Sequence, residues 1–432
     1  MRKISGAQLL IQFLEEKGVR YVAGIPGGAA LPLYDALEGS GLTHILARHE
    51  QGAGFIAHGL ARTSGFPAVT FATSGPGATN LVTAVADAYA DSVPLLAVTG
   101  QVPRALIGTD AFQEVDTYGL TVPVTKHNFL VDTVEELLDV LPRAFRIALS
   151  GRPGPVLIDV PKDIQNATIE FETWPEPGRA APAPQPADTV LDAALALIAQ
   201  AQRPILYLGG GVVHAGAAPL ARELAETAAL PTVMTLMALG TLPETHALQL
   251  GMLGMHGARC TNLALAECDL LIAVGARFDD RATGKVAEFC PNAAIVHIDI
   301  DASELDKIKT AHVALNGDVR EVLGIEGSAA RAYFAGFPCP GAPRIFSERL
   351  IRNIAVGRRM KRSATSAATI EKALSQPNRR SDGRSENTVT TRPQASTTVV
   401  RISAGPTSTV ARSTASAEPT PGLLSSRRRL RK

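Results

Sequence analysis

The sequence predicts an α/β protein: two successive parallel-sheet domains, followed by a tail of different chemistry. Three observations carry that expectation. From residue 1 to about 165, and again from 188 to about 325, apolar runs of about five residues alternate with helical segments, the signature of a parallel sheet covered on both faces. Residues 166–187, NATIEFETWPEPGRAAPAPQPA, are rich in Pro and Ala and lack periodicity, which marks a linker. Residues 358–432 contain no Phe, Tyr, Trp or Cys and hold 16 Lys or Arg against 4 Asp or Glu, too little apolar surface to offset the entropy of ordering.

The elements follow in order. A helix over 5–17 has Ser5 as N-cap, Gln8 completing a capping box and Gly18 as its stop. Gln12, Glu15 and Glu16 interrupt its apolar positions, so it is neither an export signal nor a membrane anchor, and no apolar run reaches the roughly 18 residues of a span. The cytosol is the expected compartment. Strand YVAGIP, a helix near 31–37, strand HILAR, a helix over 50–63, strand AVTFAT, a helix near 78–90 and strand PLLAVTG come next. A helix near 134–149 and strand GPVLIDVP close the first domain. Beyond the linker, strand PILYLGG (204–210), helix AAPLARELAETAAL and strands PTVMTL, LLIAVGA (270–276) and AIVHIDI (294–300) outline a doubly wound unit of the nucleotide-binding kind. Residues 326–357 form its edge.

Composition narrows the function. Formal net charge is +1, yet residues 358–432 carry a balance of +12, leaving −11 on residues 1–357. The folded part is therefore no nucleic-acid binder, and the basic tail ending in RRRLRK is read as a solvated run before it is read as an arm for an acidic partner. Cys260, Cys268, Cys290 and Cys339 lack CxxC spacing, which disfavours a metal knuckle and fits reduced thiols.

Two glycine-rich turns, GIPGGA (24–29) and TSGPGATN (73–80), each join an apolar strand to a helix. Either alone is a tight structural turn. Both lie at strand ends of one sheet with Glu50 between them, and ligands of open α/β sheets collect at the carboxyl ends of strands. Glu50 itself has two readings. It is an acidic first-turn residue complementing a helix dipole, or, given its small and apolar neighbours EQGAGFIAHGLA, a buried carboxyl available for proton transfer.

The segments GIPGGA, RHEQGAGFIAHGLAR, TSGPGATNLVTAVADAYADSVPLLAVTGQVP, IGTDAFQEVDTYGL, KHNFLV and SGRPGPVLIDVPKDIQ resemble, in order, the signature blocks of the acetolactate synthase (acetohydroxyacid synthase) large-subunit family, thiamine-diphosphate enzymes. The likeness continues through LYLGGGVV, TLMALGTLP, LGMLGMHGARCTN, VGARFDDRATGK and HIDID to about residue 325, and Ile25 in GIPGG is similar to the bacterial isozyme I type. The resemblance implies a pyrimidine-binding domain over 1–165 and a central FAD-binding-type domain over 188–325. It implies that Glu50 contacts the aminopyrimidine of thiamine diphosphate and promotes its imino tautomer. Pyruvate would then lose CO2, and its two-carbon unit would add to pyruvate or 2-oxobutyrate, a step of branched-chain amino-acid biosynthesis. Gly27, Gly28, Gly77 and Asn80 would line the cofactor, and Phe112, Gln113 and Lys126 would flank the substrate entrance. Gly209, Gly210, Gly211, Arg277, Asp279, Asp299 and Arg152 would hold FAD. Plainer readings make Phe112 core, Lys126 a solvated charge and the central turns unliganded. His49 and His256 are read as structural. A homodimer or tetramer and a small regulatory subunit are the partners implied.

The likeness stops where the family's diphosphate domain would begin. That domain carries a GDG run and an Asn whose oxygens hold Mg2+, and neither NGDVRE nor SDGRSENTV supplies the setting. No metal ligand is assigned. After FAGFPCPGAPRIF the composition changes as it would if a GC-rich gene were translated in another frame; resequencing that returned the same frame would overturn this reading. Little or no synthase activity is expected of such a chain. A chain that only binds FAD or partner subunits, and a pyruvate oxidase-like enzyme, are the competing readings.

Overall fold

The computed structural model describes residues 2–174 and 182–324. The expectations for 326–357 and for a disordered tail over 358–432 lie outside the described residues.

The first domain runs β1 (Arg2–Ser5), α1 (Gly6–Glu16), β2 (Tyr21–Gly24), α2 (Leu31–Leu37), β3 (Thr43–Leu46), α3 (Glu50–Ser64), β4 (Ala68–Ala72), α4 (Pro76–Ala90) and β5 (Leu95–Gln101). It continues with α5 (Thr117–Thr121), β6 (His127–Leu130), α6 (Leu137–Leu149), β7 (Val156–Pro161), α7 (Lys162–Asn166) and β8 (Thr168–Phe171). Six strands form a wholly parallel sheet in the order β3-β2-β4-β5-β7-β6. Every residue of β4, β5 and β7 is buried, as expected of strands covered on both faces. One apolar layer gathers Leu9, Phe13, Leu33, Val98 and Phe145, and the other gathers Ala57, Leu81, Val85 and Leu95.

The start of α1 is built as the sequence predicts. Ser5 Oγ accepts from the Gln8 amide at 3.2 Å, Gln8 Oε1 accepts from the Ser5 amide at 3.0 Å, and Gly18 follows in the left-handed region at φ 79°. The linker begins later than the sequence suggests. Residues 168–171 form β8, antiparallel to β1, with Ile4 opposite Ile169. The alternation TIEF buries Ile169 against the first core, a signal too short to stand out before a Pro-rich run.

The second domain runs α8 (Asp188–Gln200), β9 (Pro204–Leu208), α9 (Gly210–His214), α10 (Ala218–Thr227), β10 (Thr232–Met234) and β11 (Gln249–Met252). It ends with α11 (Arg259–Glu267), β12 (Leu270–Val274), α12 (Asp280–Thr283), β13 (Ala294–Asp299) and β14 (Val313–Asn316). Its parallel sheet has the order β11-β10-β9-β12-β13-β14. Strand order reverses beside β9, so the ends of β9 and β12 border the crevice where such folds take ligands.

Candidate functional site

Three segments converge at the carboxyl ends of β2, β3 and β4. Glu50 is the first residue of α3. The preceding His49 is extended and caps the helix by accepting from the Gln51 amide at 3.1 Å on Nδ1, which gives His49 the structural role expected of it. Glu50 Oε2 accepts from Asn80 Nδ2 at 2.9 Å, and Asn80 sits in the first turns of α4, which starts at Pro76. Both readings of Glu50 thus coexist: it complements the positive end of α3 and is half-buried against α4. It is less enclosed than its apolar neighbours suggested, because Gln51, Gly52 and Phe55 face outward at the open end of the sheet while Ala53 and Ala57 pack inward.

The glycine turns are joined by a residue the sequence reading did not single out, Thr73. Its Oγ1 accepts from the Ala29 amide at 3.2 Å. A Cβ on Gly27 would come within 2.5 Å of the Thr73 Cβ, and one on Gly77 within 2.8 Å of its methyl and 3.6 Å of Glu50 Oε1. Gly27 and Gly77 are therefore glycines because Thr73 fills the space between the two turns. Gly28 is different: it is exposed, and a Cβ there meets nothing within 4 Å. It leaves a stretch of the 24–29 turn's backbone open to solvent. The Tyr34 hydroxyl, which closes on Gly24, is buried without a hydrogen-bond partner, and burial first, then the charge of Glu50, raise its pKa above the ordinary tyrosine range.

The entrance residues separate. Gln113 adopts φ 59°, and its carbonyl lies where a Cβ on Gly75 would approach to 2.5 Å, so Gln113 reaches the crevice through its backbone. Phe112 beside it is 87% exposed, which removes the core reading. Lys126 is elsewhere. It precedes β6, at the amino end of the strands and the opposite edge of the sheet from β3. Its Nζ donates to the carbonyls of Ile147 at 2.5 Å and Ser150 at 2.6 Å, closing the C-terminus of α6. Burial, reinforced by Arg152, lowers its pKa to about 8. Within this chain the structure does not bring Lys126 to Glu50, and its lysine is not the freely solvated charge of the plainer reading.

The nucleotide-site residues of the second domain do come together. Gly209, Gly210, Gly211, Arg277, Asp279 and Asp299 line one cleft with Arg152 of the first domain, an empty volume of about 1090 Å3 with open solvent included. A Cβ on Gly209 would strike the Gly275 carbonyl, and one on Gly211 would lie 2.7 Å from the Gly275 Cα. These glycines let the ends of β9 and β12 touch. Asp279 caps α12 by accepting from the Arg281 amide at 3.0 Å. Asp299 is buried at the end of β13, and that burial pushes its carboxyl up to about 6. Arg152 donates to Asp301 at 3.2 Å, Glu304 at 2.7 Å and Ser92 Oγ at 2.8 Å. Burial opposes its charge, but the bonds to Asp301 and Glu304 prevail and raise its pKa. Glu304, 5% exposed, is the buried anchor that the sequence reading missed, since nothing in ASELDK distinguishes it. His256, read as structural, is exposed.

Among the described residues, the one group with metal-ligand proximity is His58, Asp87 and Asp91, whose ligand atoms lie within 4.8 Å of one another. Arg62 already pairs with Asp91, and burial lowers the pKa of His58, whose Nε2 lies 3.2 Å from Asp87, so the Arg62–Asp91 pair and a neutral imidazole account for the cluster. It stands toward the far end of α4 from Asn80. The described residues thus offer no hard-oxygen cage beside Glu50.

Comparison with known proteins agrees with this division. Residues 4–120 match the thiamine pyrophosphate enzyme N-terminal TPP binding domain, and residues 191–324 match the central domain of the same enzymes. The chain is 61% identical over 323 residues to the acetolactate synthase isozyme 1 large subunit of Escherichia coli, covering 74% of this chain and 57% of that one. It is 52% identical to the acetolactate synthase large subunit of Corynebacterium glutamicum, over 74% of this chain and 52% of the relative. With the probable acetolactate synthase large subunit of Methanocaldococcus jannaschii it shares 50% identity, over 74% and 55%. The chain therefore spans little more than half the length of these relatives. No helix among the described residues is long and apolar enough to cross a membrane. With both domain types present in order and identities of this size, the chain belongs to the thiamine pyrophosphate enzyme family, on its acetolactate synthase large-subunit branch.

Proposed function

We propose that this chain carries the aminopyrimidine half of an acetolactate synthase site, which decarboxylates pyruvate and joins the two-carbon unit to pyruvate or 2-oxobutyrate. The observation that carries it is the Glu50 crevice: a half-buried carboxylate held by Asn80, between two glycine turns of which one leaves its backbone open at Gly28. The residues suit the group. A flat heterocycle needs backbone free of side chains, which Gly28 provides, and a carboxyl for its ring nitrogens, which Glu50 provides. When bound, thiamine diphosphate supplies the electron sink for loss of CO2 from a 2-oxo acid.

The work of the chain itself is positional and protic. Asn80 engages Glu50 Oε2, which leaves Oε1, the oxygen nearer Gly77, to hold or pass a proton. Thr73 keeps the two turns at fixed separation. Arg152 of the first domain with Arg277 and Asp299 of the second would hold FAD, the guanidinium groups offering positive charge for its diphosphate and the acid an acceptor for a ribose hydroxyl. Magnesium and the cofactor diphosphate have no ligands among the described residues, and no step is assigned to them. A homodimer or larger assembly with a small regulatory subunit, and a cytoplasmic setting, belong to this same proposal.

A noncatalytic reading, in which the chain binds FAD or partner subunits only, rests on the second domain's cleft, whose residues converge without involving Glu50. One experiment separates the readings: the purified chain is given pyruvate, thiamine diphosphate, Mg2+ and FAD, products are identified, and bound flavin is read by absorbance. Acetolactate supports the synthase reading. Acetate points instead to oxidase-like chemistry. Flavin without either product leaves the noncatalytic reading standing.

A further inference from the structure

One buried carboxylate takes no part in the chemistry above. Asp159 lies on β7, between β5 and the edge strand β6, 1% exposed and opposite Thr99 in the β5–β7 register. Its Oδ1 accepts from Thr99 Oγ1 at 2.6 Å and its Oδ2 from Gln101 Nε2 at 3.0 Å. A carboxylate buried within a parallel sheet is costly to desolvate, so its place there calls for a role.

Gln101 supplies the connection. It is 3% exposed and ends β5. Its Oε1 accepts from the Val102 amide at 2.9 Å, while its Nε2 donates both to Asp159 and, at 3.0 Å, to the Val115 carbonyl. One amide thus ties the sheet to both ends of the 102–117 segment. Between those ties the segment is held partly by itself and, near its start, by Asp163 and Asp132. Glu114 accepts from the Gly108 amide and from the Ala111 amide at 3.1 Å, and Arg104 pairs with Asp163 at 2.8 Å. The segment carries the exposed Phe112 and brings the Gln113 carbonyl against Gly75 at the start of α4.

We infer that Asp159 is a positioning residue: acting through the Gln101 amide, its carboxyl holds the 102–117 segment in the place that seats Gln113 against Gly75, at the mouth of the Glu50 crevice. Its functional consequence rests on the reading of that crevice given above. The carboxyl is suited to the task because it keeps an oxygen that accepts from Gln101 both when ionised and when its proton sits on the oxygen facing Thr99. Gln101 is then forced to turn Nε2 toward it, which leaves Oε1 for Val102 and the second N–H for Val115. An apolar residue at 159 would free the amide to rotate and release both ties. Asp116, at the N-cap of α5, is the charged neighbour whose repulsion bears on Asp159.

The test is hydrogen exchange of the full chain read by mass spectrometry, without substrate or cofactor. It compares the parent with Gln101→Met, Asp159→Leu and Asp159→Asn. Amides of 111–117 are expected to exchange about tenfold faster or more in Gln101→Met and Asp159→Leu, with β4 and β9 unchanged. Asp159→Asn, whose Oδ1 can still accept from Gln101 while its amide donates to Thr99, is expected to keep the parental protection within about threefold. Unchanged protection of 111–117 in Gln101→Met would overturn the inference. So would an Asn variant as unprotected as the Leu variant, or a loss spread over the whole first domain. Should Asp159→Leu fail to fold, the Gln101→Met and Asp159→Asn pair decides. Because no turnover is measured, a chain with no synthase activity can pass this test and an active one can fail it.

Discussion

Glu50, Gly28 and Gly77 ask different things of the same crevice, and substitutions should separate them. Gly77→Ala puts a methyl 2.8 Å from the Thr73 side chain, so it is expected to cost about 1–3 kcal/mol of stability by urea denaturation. Gly28→Ala meets no neighbour within 4 Å; its melting temperature should match the parent while its affinity for thiamine diphosphate, by calorimetric titration, falls about tenfold or more. In any preparation that forms acetolactate, Glu50→Gln should keep the Asn80 contact yet lower turnover by about 10²–10⁴-fold, with cofactor affinity little changed. Equal losses of affinity and turnover would show that Glu50 binds rather than transfers protons. At Asp159 the burial that raises its pKa to about 7 has a definite sign. The native state holds a proton that the unfolded chain has lost between about pH 4 and 7, so this group favours folding most at low pH and the benefit disappears as pH rises through 7. Asp159→Asn, which cannot ionise, should therefore be more stable than the parent at pH 8, on the order of 1–3 kcal/mol, and the gap should shrink toward pH 5. A constant gap across that range would refute the assignment.

At the level of elements, α6 shows how a motif residue can be recruited by its own domain. The leucine and alanine spacing of 137–149 buries Leu137, Leu141, Ala144 and Ala148 on one face, which orients the helix, but its last carbonyls need a donor. Lys126 supplies it from the loop before β6. Lys126→Met keeps the aliphatic stem and loses both bonds, so the first domain should lose about 1–2 kcal/mol by urea denaturation. An unchanged midpoint would mean that the charge is free to serve elsewhere. The short strands that escaped sequence reading share a cause. β1, β8, β11 and β14 are edge or two-stranded pieces of four residues, and four residues with mixed burial carry too few positions for a period to register. β4, β5 and β7, buried on both faces, announced themselves as continuous apolar runs.

At the scale of the molecule, the two sheets are tied through few polar contacts, and Arg152 makes the best of them. It lies between the end of α6 and β7, and reaches Asp301 and the nearly buried Glu304 of the second domain. Removing it leaves the nearly buried Glu304 with only the half-exposed Lys307, 3.2 Å away, of its two cationic partners. Arg152→Met is expected to split thermal unfolding of the described domains into two calorimetric transitions and to lower the flavin content of the purified protein, whereas a single, unshifted transition would assign Arg152 to the ligand cleft alone.

Strand and helix alternation was legible from the residues because a parallel sheet writes itself locally, in runs of Val, Leu, Ile and Ala with glycines at the turns. The capping box of α1, the two glycine turns around Glu50 and the nucleotide-type turns after β9 and β12 belong to that local record. The meeting of Thr73 with Gly27 and Gly77, the tie from Asp159 through Gln101 to Val115, and the placement of Lys126 at the opposite end of the sheet from Glu50 do not. Each joins residues from separate elements, and their distance is set by strand order and by the packing of helices on the sheet. No single segment of chain contains that information, because a carboxylate costs or serves according to which donors the fold brings to it.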